Sequence, residues 1–187
     1  QYGTSFAYPL SSMGSHVSAS PNHQVRRSTS LDTRANVAYF GTFGYELDIT
    51  RLPEEELETM KKQIAFMKKH RDLIQKGTFY RLLSPFEGTS SAWMVVSEDR
   101  SEALAAYFRV MQPANGKFER IYLKGLDAAE KYTVQEQFGA EMQYGDFGGD
   151  ELMYAGMSVS DSAAGLAGVA WEQQGDNFSR LFYIKKK

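Results

Sequence analysis

Carboxylates at short spacing are the first groups in this chain that could do acid–base chemistry. Glu46 and Asp48 are two residues apart, so on a β-strand they would share one face. Like charges that close raise the pKa of one carboxyl group, which is how paired acids divide the roles of general acid and base. A purely structural role for the two side chains is the alternative.

A second acidic group lies later in the chain. Asp146, Asp150 and Glu151 fall within six residues around a pair of glycines, and hard cations prefer oxygen ligands of this kind. The spacing matches no calcium-binding loop, however, and the chain has no cysteine to supply a thiolate ligand or a disulfide. The sequence therefore predicts no metal site.

Charge and hydropathy argue against two classes of partner. The formal net charge of −2 gives no electrostatic reason to expect nucleic acid or an anionic membrane. The basic residues at 61–71 lie on the polar face of an amphipathic helix that begins with three glutamates, which favours a solvated face. No apolar run approaches the roughly 18 residues of a membrane span. We expect neither nucleic acid nor membrane as a partner.

The elements that must position these groups change character at Gly77. Before it, a short apolar run at 6–10 is followed by helical spacing around 31–39, a strand-like alternation at 45–49 and a long helix from Pro53 to Gly77. The apolar stripe of that long helix comprises Leu57, Met60, Ile64, Met67 and Ile74. This order of strand, helix, strand and helix is typical of βα units in a parallel α/β fold.

After Gly77 the hydrophobic period becomes that of β-strands. The runs at 92–97 and 102–110 form a predicted hairpin. Further strands are predicted at 118–124, 132–136, 152–159, 166–172 and 178–185, separated by Gly-, Asp- and Asn-rich turns. Short strands at this spacing predict an antiparallel β-sandwich. The fold class is therefore α/β followed by all-β.

Six segments carry a family resemblance. The most informative is Met13-Gly14-Ser15-His16-Val17-Ser18-Ala19-Ser20-Pro21-Asn22-His23-Gln24. The others, in chain order, are Gln1-Tyr2-Gly3-Thr4-Ser5, Asn36-Val37-Ala38-Tyr39-Phe40-Gly41, Phe43-Gly44-Tyr45-Glu46-Leu47-Asp48, Tyr80-Arg81-Leu82-Leu83-Ser84-Pro85-Phe86 and Gly148-Gly149-Asp150-Glu151-Leu152-Met153. Together they resemble the α-galactosidases of glycoside hydrolase family 36.

The resemblance implies a domain organisation. Residues 1–76 would be the last two βα units of a catalytic (β/α)8 TIM barrel, and residues 77–187 the carboxyl-terminal β-sandwich. The family hydrolyses terminal α-galactosides with retention, which needs two carboxyl groups about 5–5.5 Å apart. In the family both are aspartates that precede the position of Gln1, and the Lys-Trp-Asp motif of one of them is absent here. We therefore expect a carboxyl-terminal fragment without catalytic residues and inactive alone.

The resemblance also suggests which residues lie near the substrate. His16, Asn22 and His23 would lie in the loop after the seventh barrel strand, and such loops form the rim of the active site. The alternative is that Asn22 and His23 order the loop while His16 ends a strand. The family's catalytic carboxylates come from two different strands, so Glu46 and Asp48 are expected to have a structural role or to lie at the rim of the active site. Two tryptophans, Trp93 and Trp171, could stack on sugar but lie in apolar strand runs, which favours the core.

The expected function is that of a retaining α-galactosidase acting on raffinose- or melibiose-type sugars. The resemblance implies no cofactor, a homotetrameric intact enzyme and a bacterial cytoplasmic location. Two alternatives stay open. One is a family relative that acts as an α-galactosyl transferase or an α-N-acetylgalactosaminidase, and the other is a non-catalytic carbohydrate-binding or interaction β-module.

Overall fold

The computed structural model describes residues 1–114, 119–138, 143–159 and 175–187. The chain divides into two compact units with their boundary between residues 76 and 77, Tyr2 being grouped with the second unit. The boundary falls where the hydrophobic period of the sequence changes. The assignment of the two units to a barrel end and a sandwich stays a prediction.

The first unit has the order strand, helix, strand, helix. Its elements are β1 (His16–Ser18), α1 (Leu31–Ala38), β2 (Gly44–Glu46) and α2 (Glu54–Lys76). The two strands are parallel, with His16 opposite Gly44 and Ser18 opposite Glu46. Parallel strands joined through a helix form the predicted βα arrangement.

The first predicted strand, at 6–10, is wrong. That segment contains parts of two 3₁₀ turns, Thr4–Phe6 and Leu10–Ser12, and the strand begins only at His16. Pro9 precedes the second turn and has no N–H to donate to a strand ladder. The predicted strand at 45–49 is also shorter, because a third 3₁₀ turn, Ile49–Arg51, follows it.

Helix α2 buries a different stripe from the one predicted. Met60, Met67 and Ile74 are buried, but Ile64 is 37% exposed. The buried positions at 60, 63, 67, 70 and 74 follow a regular helical period. Two of them are the polar residues Gln63 and His70. A pattern built on apolar residues alone passes over these positions, although they form the centre of the packed face.

The second unit is built on an antiparallel sheet, as predicted. Six strands among the described residues lie in the order β3-β4-β5-β10-β7-β8, and every neighbouring pair is antiparallel. Their bounds are β3 Thr78–Leu83, β4 Ser90–Val96, β5 Glu102–Arg109, β7 Lys131–Gln137, β8 Gln143–Gly148 and β10 Phe178–Lys186. The predicted hairpin is β4–β5, with Asp99 in its turn accepting hydrogen bonds from Ser97 and Ser101.

One face of this sheet packs on residues 121–126 and 152–159. The packed residues include Met94, Tyr107, Val134, Phe182 and Ile184 from the sheet and Ile121, Leu123, Leu152 and Met157 from the facing layer. That layer contains a short antiparallel pair, β6 (Arg120–Ile121) with β9 (Met157–Ser158). The second unit thus contains the predicted antiparallel sheet, and its described residues form one further, small sheet of two strands.

Two predicted strands of the second layer are largely wrong. The run at 118–124 contributes only β6. The first half of the run at 152–159 belongs to a π-helical turn, Glu151–Ala155, and only Met157–Ser158 is a strand. Asp150 favours that turn, since its side chain accepts the Glu151 N–H at 2.8 Å. Gly156, at φ +73°, ends it. The predicted strand at 166–172, with Trp171, lies outside the described residues.

Strands β3 and β8 were not predicted from the sequence.

Within the described ranges, no helix is long and apolar enough to span a membrane.

Candidate functional site

A histidine and a glutamate meet on the two strands of the first unit. The His16 Nε2 atom lies 2.6 Å from Glu46 Oε2, a short distance typical of a charge-assisted hydrogen bond. His16 was predicted to lie in the loop after the strand, but it is the first residue of β1. Glu46 is the last residue of β2. The structure therefore brings together two residues that are 30 positions apart in sequence.

Strand geometry places this pair on the face turned away from the helices. Val17 is fully buried, and the Tyr45 hydroxyl donates to Gln63 of α2 at 2.9 Å. Because successive side chains of a strand alternate between faces, His16 and Glu46 point to the opposite side. Both remain accessible in this chain, with 52% and 73% of their side-chain surface exposed.

The other two rim candidates lie in the turn after β1. Asn22 Oδ1 accepts the backbone N–H groups of Gln24 at 3.0 Å and Val25 at 3.1 Å. The Asn22 backbone also exchanges hydrogen bonds with Arg26 and Arg27. These contacts agree with the loop-ordering alternative for Asn22. His23 is exposed in the same turn, and nothing in its surroundings assigns it a role.

An arginine from α1 forms a hydrogen bond with the last residue of β1. Arg34 Nη1 donates to the Ser18 carbonyl oxygen at 2.5 Å, and its Nε donates to the Ser30 carbonyl oxygen at 3.3 Å. Ser30 in turn caps α1 by accepting the Thr33 N–H at 3.1 Å. The carboxyl end of β1 is thereby fixed to the start of the helix that follows it.

A buried glutamine fixes β2 in the same way. Gln63 is fully buried; its Nε2 donates to Asp32 Oδ1 of α1 at 2.8 Å, and its Oε1 accepts from Tyr45 of β2. Burial, with a contribution from the nearby Asp32 carboxyl group, raises the pKa of Tyr45 to about 12. One amide thus joins α1, α2 and β2, and it holds the residue that precedes Glu46.

Asp32 provides a pH-dependent test of this network. Burial raises the pKa of its carboxyl group above the usual value, and the hydrogen bond from Gln63 only partly offsets that effect. The folded state therefore binds the proton more tightly than the unfolded state, so this carboxylate costs stability once the pH rises above the unfolded pKa of about 4. We expect Asp32→Asn to gain stability relative to the parent as pH rises from about 4 towards neutrality, measured by urea unfolding at several pH values.

The matched control is Asp72→Asn. Asp72 lies on the exposed surface of α2, paired with Lys76, so its effect should be small throughout. A difference between Asp32→Asn and the parent that shrinks with rising pH would contradict the expected burial effect.

The remaining sequence candidates are used structurally. Asp48 does not share a strand face with Glu46: it lies beyond β2 and caps the following turn through Thr50 at 3.1 Å and 2.6 Å. Asp146 binds Thr133 and Lys187. In the described part of the chain, no three acidic or histidine side chains gather as a metal site. Trp93 is 5% exposed, and its ring centroid lies 4.4 Å from that of Phe108. It therefore lies in the core, which the sequence favoured over a sugar-stacking role.

Comparison with protein families assigns the two halves of the chain. Residues 1–77 match the sequence model described as Melibiase. Residues 90–184 match the glycosyl hydrolase family 36 C-terminal domain. Both matches assign the chain to the glycoside hydrolases. It belongs to glycosyl hydrolase family 36.

Individual relatives agree with this assignment over nearly the whole chain. The α-galactosidase AgaA of Geobacillus stearothermophilus is 55% identical over 171 residues, which are 91% of this chain and 22% of AgaA. The bifunctional α-galactosidase/sucrose kinase AgaSK of Mediterraneibacter gnavus is 45% identical over 159 residues, which are 85% of this chain and 16% of AgaSK. The chain therefore spans less than a quarter of the length of these relatives.

Solved structures show the same fold. A crystal structure of an AgaA variant in complex with raffinose matches with a TM-score of 0.87 at 51% identity, covering 100% of this chain and 24% of that one. The α-galactosidase of Lactobacillus brevis matches with a TM-score of 0.85 at 42% identity, with the same coverage of both chains.

Proposed function

We propose that this chain forms the carboxyl-terminal part of a retaining α-galactosidase that hydrolyses raffinose- and melibiose-type oligosaccharides. The observation that carries the proposal is the similarity over the full chain to an α-galactosidase whose structure contains raffinose. In this proposal residues 1–76 complete a (β/α)8 barrel, and residues 77–187 form the β-sandwich that follows it.

The parallel pair β1–β2 supports the barrel assignment. Both strands are followed by helices that cover one face only, so the other face is left to form the interior of a barrel that further strands close by pairing at the edges of β1 and β2. The two catalytic aspartates would come from a preceding part of the enzyme, as the family resemblance implies. His16, Asn22 and His23 would then lie at or near the carboxyl-terminal face of the barrel, where active sites of this fold are built.

The setting of the intact enzyme is part of the same proposal. We place it in the cytoplasm of a bacterium, as a homotetramer without a cofactor. Bacterial α-galactosidases among the relatives support the source. Sedimentation analysis of the intact protein tests the tetramer, because it gives the mass of the assembly directly.

The activity is tested on the intact protein that contains this chain. Proton NMR during hydrolysis of raffinose or melibiose should show α-galactose as the first product, because a retaining mechanism passes through a covalent glycosyl-enzyme. Residues 1–187 expressed alone should release no galactose. An intact protein that cleaves no α-galactoside, or that first releases β-galactose, contradicts the proposal. Transfer to a sugar acceptor or cleavage of an α-N-acetylgalactosaminide would instead point to another activity within the family.

A further inference from the structure

The face of β1 and β2 that is turned away from the helices is polar. Val17 and Tyr45 face the helices, whereas His16, Ser18 and Glu46 share the other face of the parallel pair. In the barrel proposed above, helices lie outside and the opposite face of every strand points inward. This face would therefore line the interior of the barrel.

Two of these residues lie at the carboxyl-terminal edge of the parallel pair, whereas His16 begins β1 and reaches Glu46 diagonally across the two strands. Ser18 and Glu46 are the last residues of β1 and β2 and are opposite each other in the register. The carboxyl ends of parallel strands meet at one edge, and α/β barrels build their active sites there. Glu46 thus combines an inward direction with a position at the catalytic end of its strand.

The contact between His16 and Glu46 leaves one carboxylate oxygen available to a ligand. Donation from His16 Nε2 to Glu46 Oε2 fixes the orientation of the carboxylate and leaves Oε1 as an acceptor. Carboxylate oxygens with a fixed orientation are strong acceptors for hydroxyl groups, and hydroxyl groups are what a saccharide presents.

We propose that Glu46 binds a hydroxyl group of the α-galactoside in the active site, and that His16 is the positioning residue that orients its carboxylate. The inference rests on the proposed function and adds a specificity-determining contact to it. Its structural basis is the 2.6 Å contact that joins the first residue of β1 to the last residue of β2, with β2 fixed through the Tyr45–Gln63 hydrogen bond.

The test uses the intact enzyme and three variants. Glu46→Gln keeps the size of the side chain but removes the charge, and loss of a hydrogen bond to a charged group should lower kcat/KM roughly ten- to a hundredfold. His16→Ala should cause a similar loss, and His16→Gln, which keeps an N–H donor, should recover part of it. Thermal unfolding of each variant is measured alongside, because a loss of kcat/KM at an unchanged melting temperature reports on substrate binding and not on loosening of the barrel. Glu55→Gln is the matched control, since Glu55 is an exposed carboxylate on the outer helix α2.

Two substrates locate the hydroxyl group. If Glu46 contacts the galactosyl group, Glu46→Gln loses activity equally on raffinose and on p-nitrophenyl α-galactoside, and inhibition by free galactose weakens. If Glu46 contacts the rest of the oligosaccharide, the loss is confined to raffinose. Either result supports the inference.

Failure of the inference can be told from failure of the proposed function. A parent enzyme that cleaves α-galactosides, with Glu46→Gln and His16→Ala kinetically equal to Glu55→Gln, overturns the inference alone. Equal losses in His16→Gln and His16→Ala overturn the positioning role. A parent enzyme without activity on any α-galactoside overturns the proposed function itself.

Discussion

Replacing Gly149 with alanine is expected to destabilise the second unit by about 3 kcal/mol or more, at the upper end of overpacking effects. A Cβ atom at this position would lie 1.9 Å from the Asp127 carbonyl oxygen and 3.1 Å from the Tyr132 ring. The obstructing atom belongs to the backbone, so a change of side-chain rotamer cannot relieve the clash. Urea unfolding followed by circular dichroism measures the effect.

The surroundings of Gly149 explain why the backbone cannot move aside. The Gly149 N–H donates to the Glu130 carbonyl oxygen at 2.8 Å. The buried Tyr132 hydroxyl accepts the Asp127 N–H at 3.0 Å and donates to the Arg100 carbonyl oxygen at 2.9 Å. Any shift that makes room for a methyl group therefore breaks a buried hydrogen bond.

Gly88→Ala is the matched control for this substitution. Its Cβ would meet no heavy atom within 4 Å, and its φ lies outside the left-handed region. The change should alter stability by only about 0.5 kcal/mol. Equal stabilities for Gly149→Ala and Gly88→Ala would contradict the clash.

Removing the charge of Glu136 is expected to cost about 3–5 kcal/mol, the range measured when one partner of a buried ion pair is lost. Glu136 of β7 and Arg180 of β10 are 7% and 5% exposed, and their side-chain atoms approach to 3.4 Å. Glu136→Gln leaves the Arg180 charge buried without this carboxylate. The free energy of unfolding from urea titration is the measurement.

A double-mutant cycle separates the pair from the packing. Arg180→Met alone should also be strongly destabilising, but Glu136→Leu with Arg180→Met should recover much of the loss, because apolar side chains of similar volume carry no buried charge. The exposed pair Lys186–Glu130 provides the contrast. It is closer, at 2.7 Å, yet Glu130→Gln should cost no more than about 1 kcal/mol. Additive losses in the buried cycle would contradict the coupling.

Local signals in the sequence account for the elements that were predicted correctly. The acidic first turn and Gly77 bound α2 because they act on its own end groups. The hairpin β4–β5 follows from two β-rich runs separated by a polar turn. These features depend on neighbours within a few residues, so the chain can be interpreted there without its tertiary structure.

The second layer of the β unit shows where local signals fail. The apolar run at 152–159 alternates like a strand, yet its first half forms a π-helical turn. Leu152 is buried on the sheet in that conformation, so tertiary packing satisfies its hydrophobic side chain without a strand. Asp150 is a local signal for this turn, because its side chain caps it by accepting the Glu151 N–H.

The candidate site shows the same division. The family motif around His16 singled out the histidine, and the carboxylate of Glu46 was noticed for its spacing from Asp48. Sequence spacing shows only what a side chain's own strand brings near it, so it pairs Glu46 with Asp48 and not with a residue of another strand. The parallel pairing of β1 with β2 places Glu46 against His16, 30 residues away in sequence, instead.

The sequence by itself determined the family, the change from α/β to β structure at Gly77, and the long helix and hairpin, because these follow from motifs and from hydrophobic periods along the chain. The tertiary structure alone decided which polar residues are buried and which meet. Gln63 interrupts an apolar pattern but joins three elements through hydrogen bonds. Glu136 of β7 contacts Arg180 of the neighbouring strand β10. Such contacts depend on strand register and helix orientation, which are set by packing between distant segments.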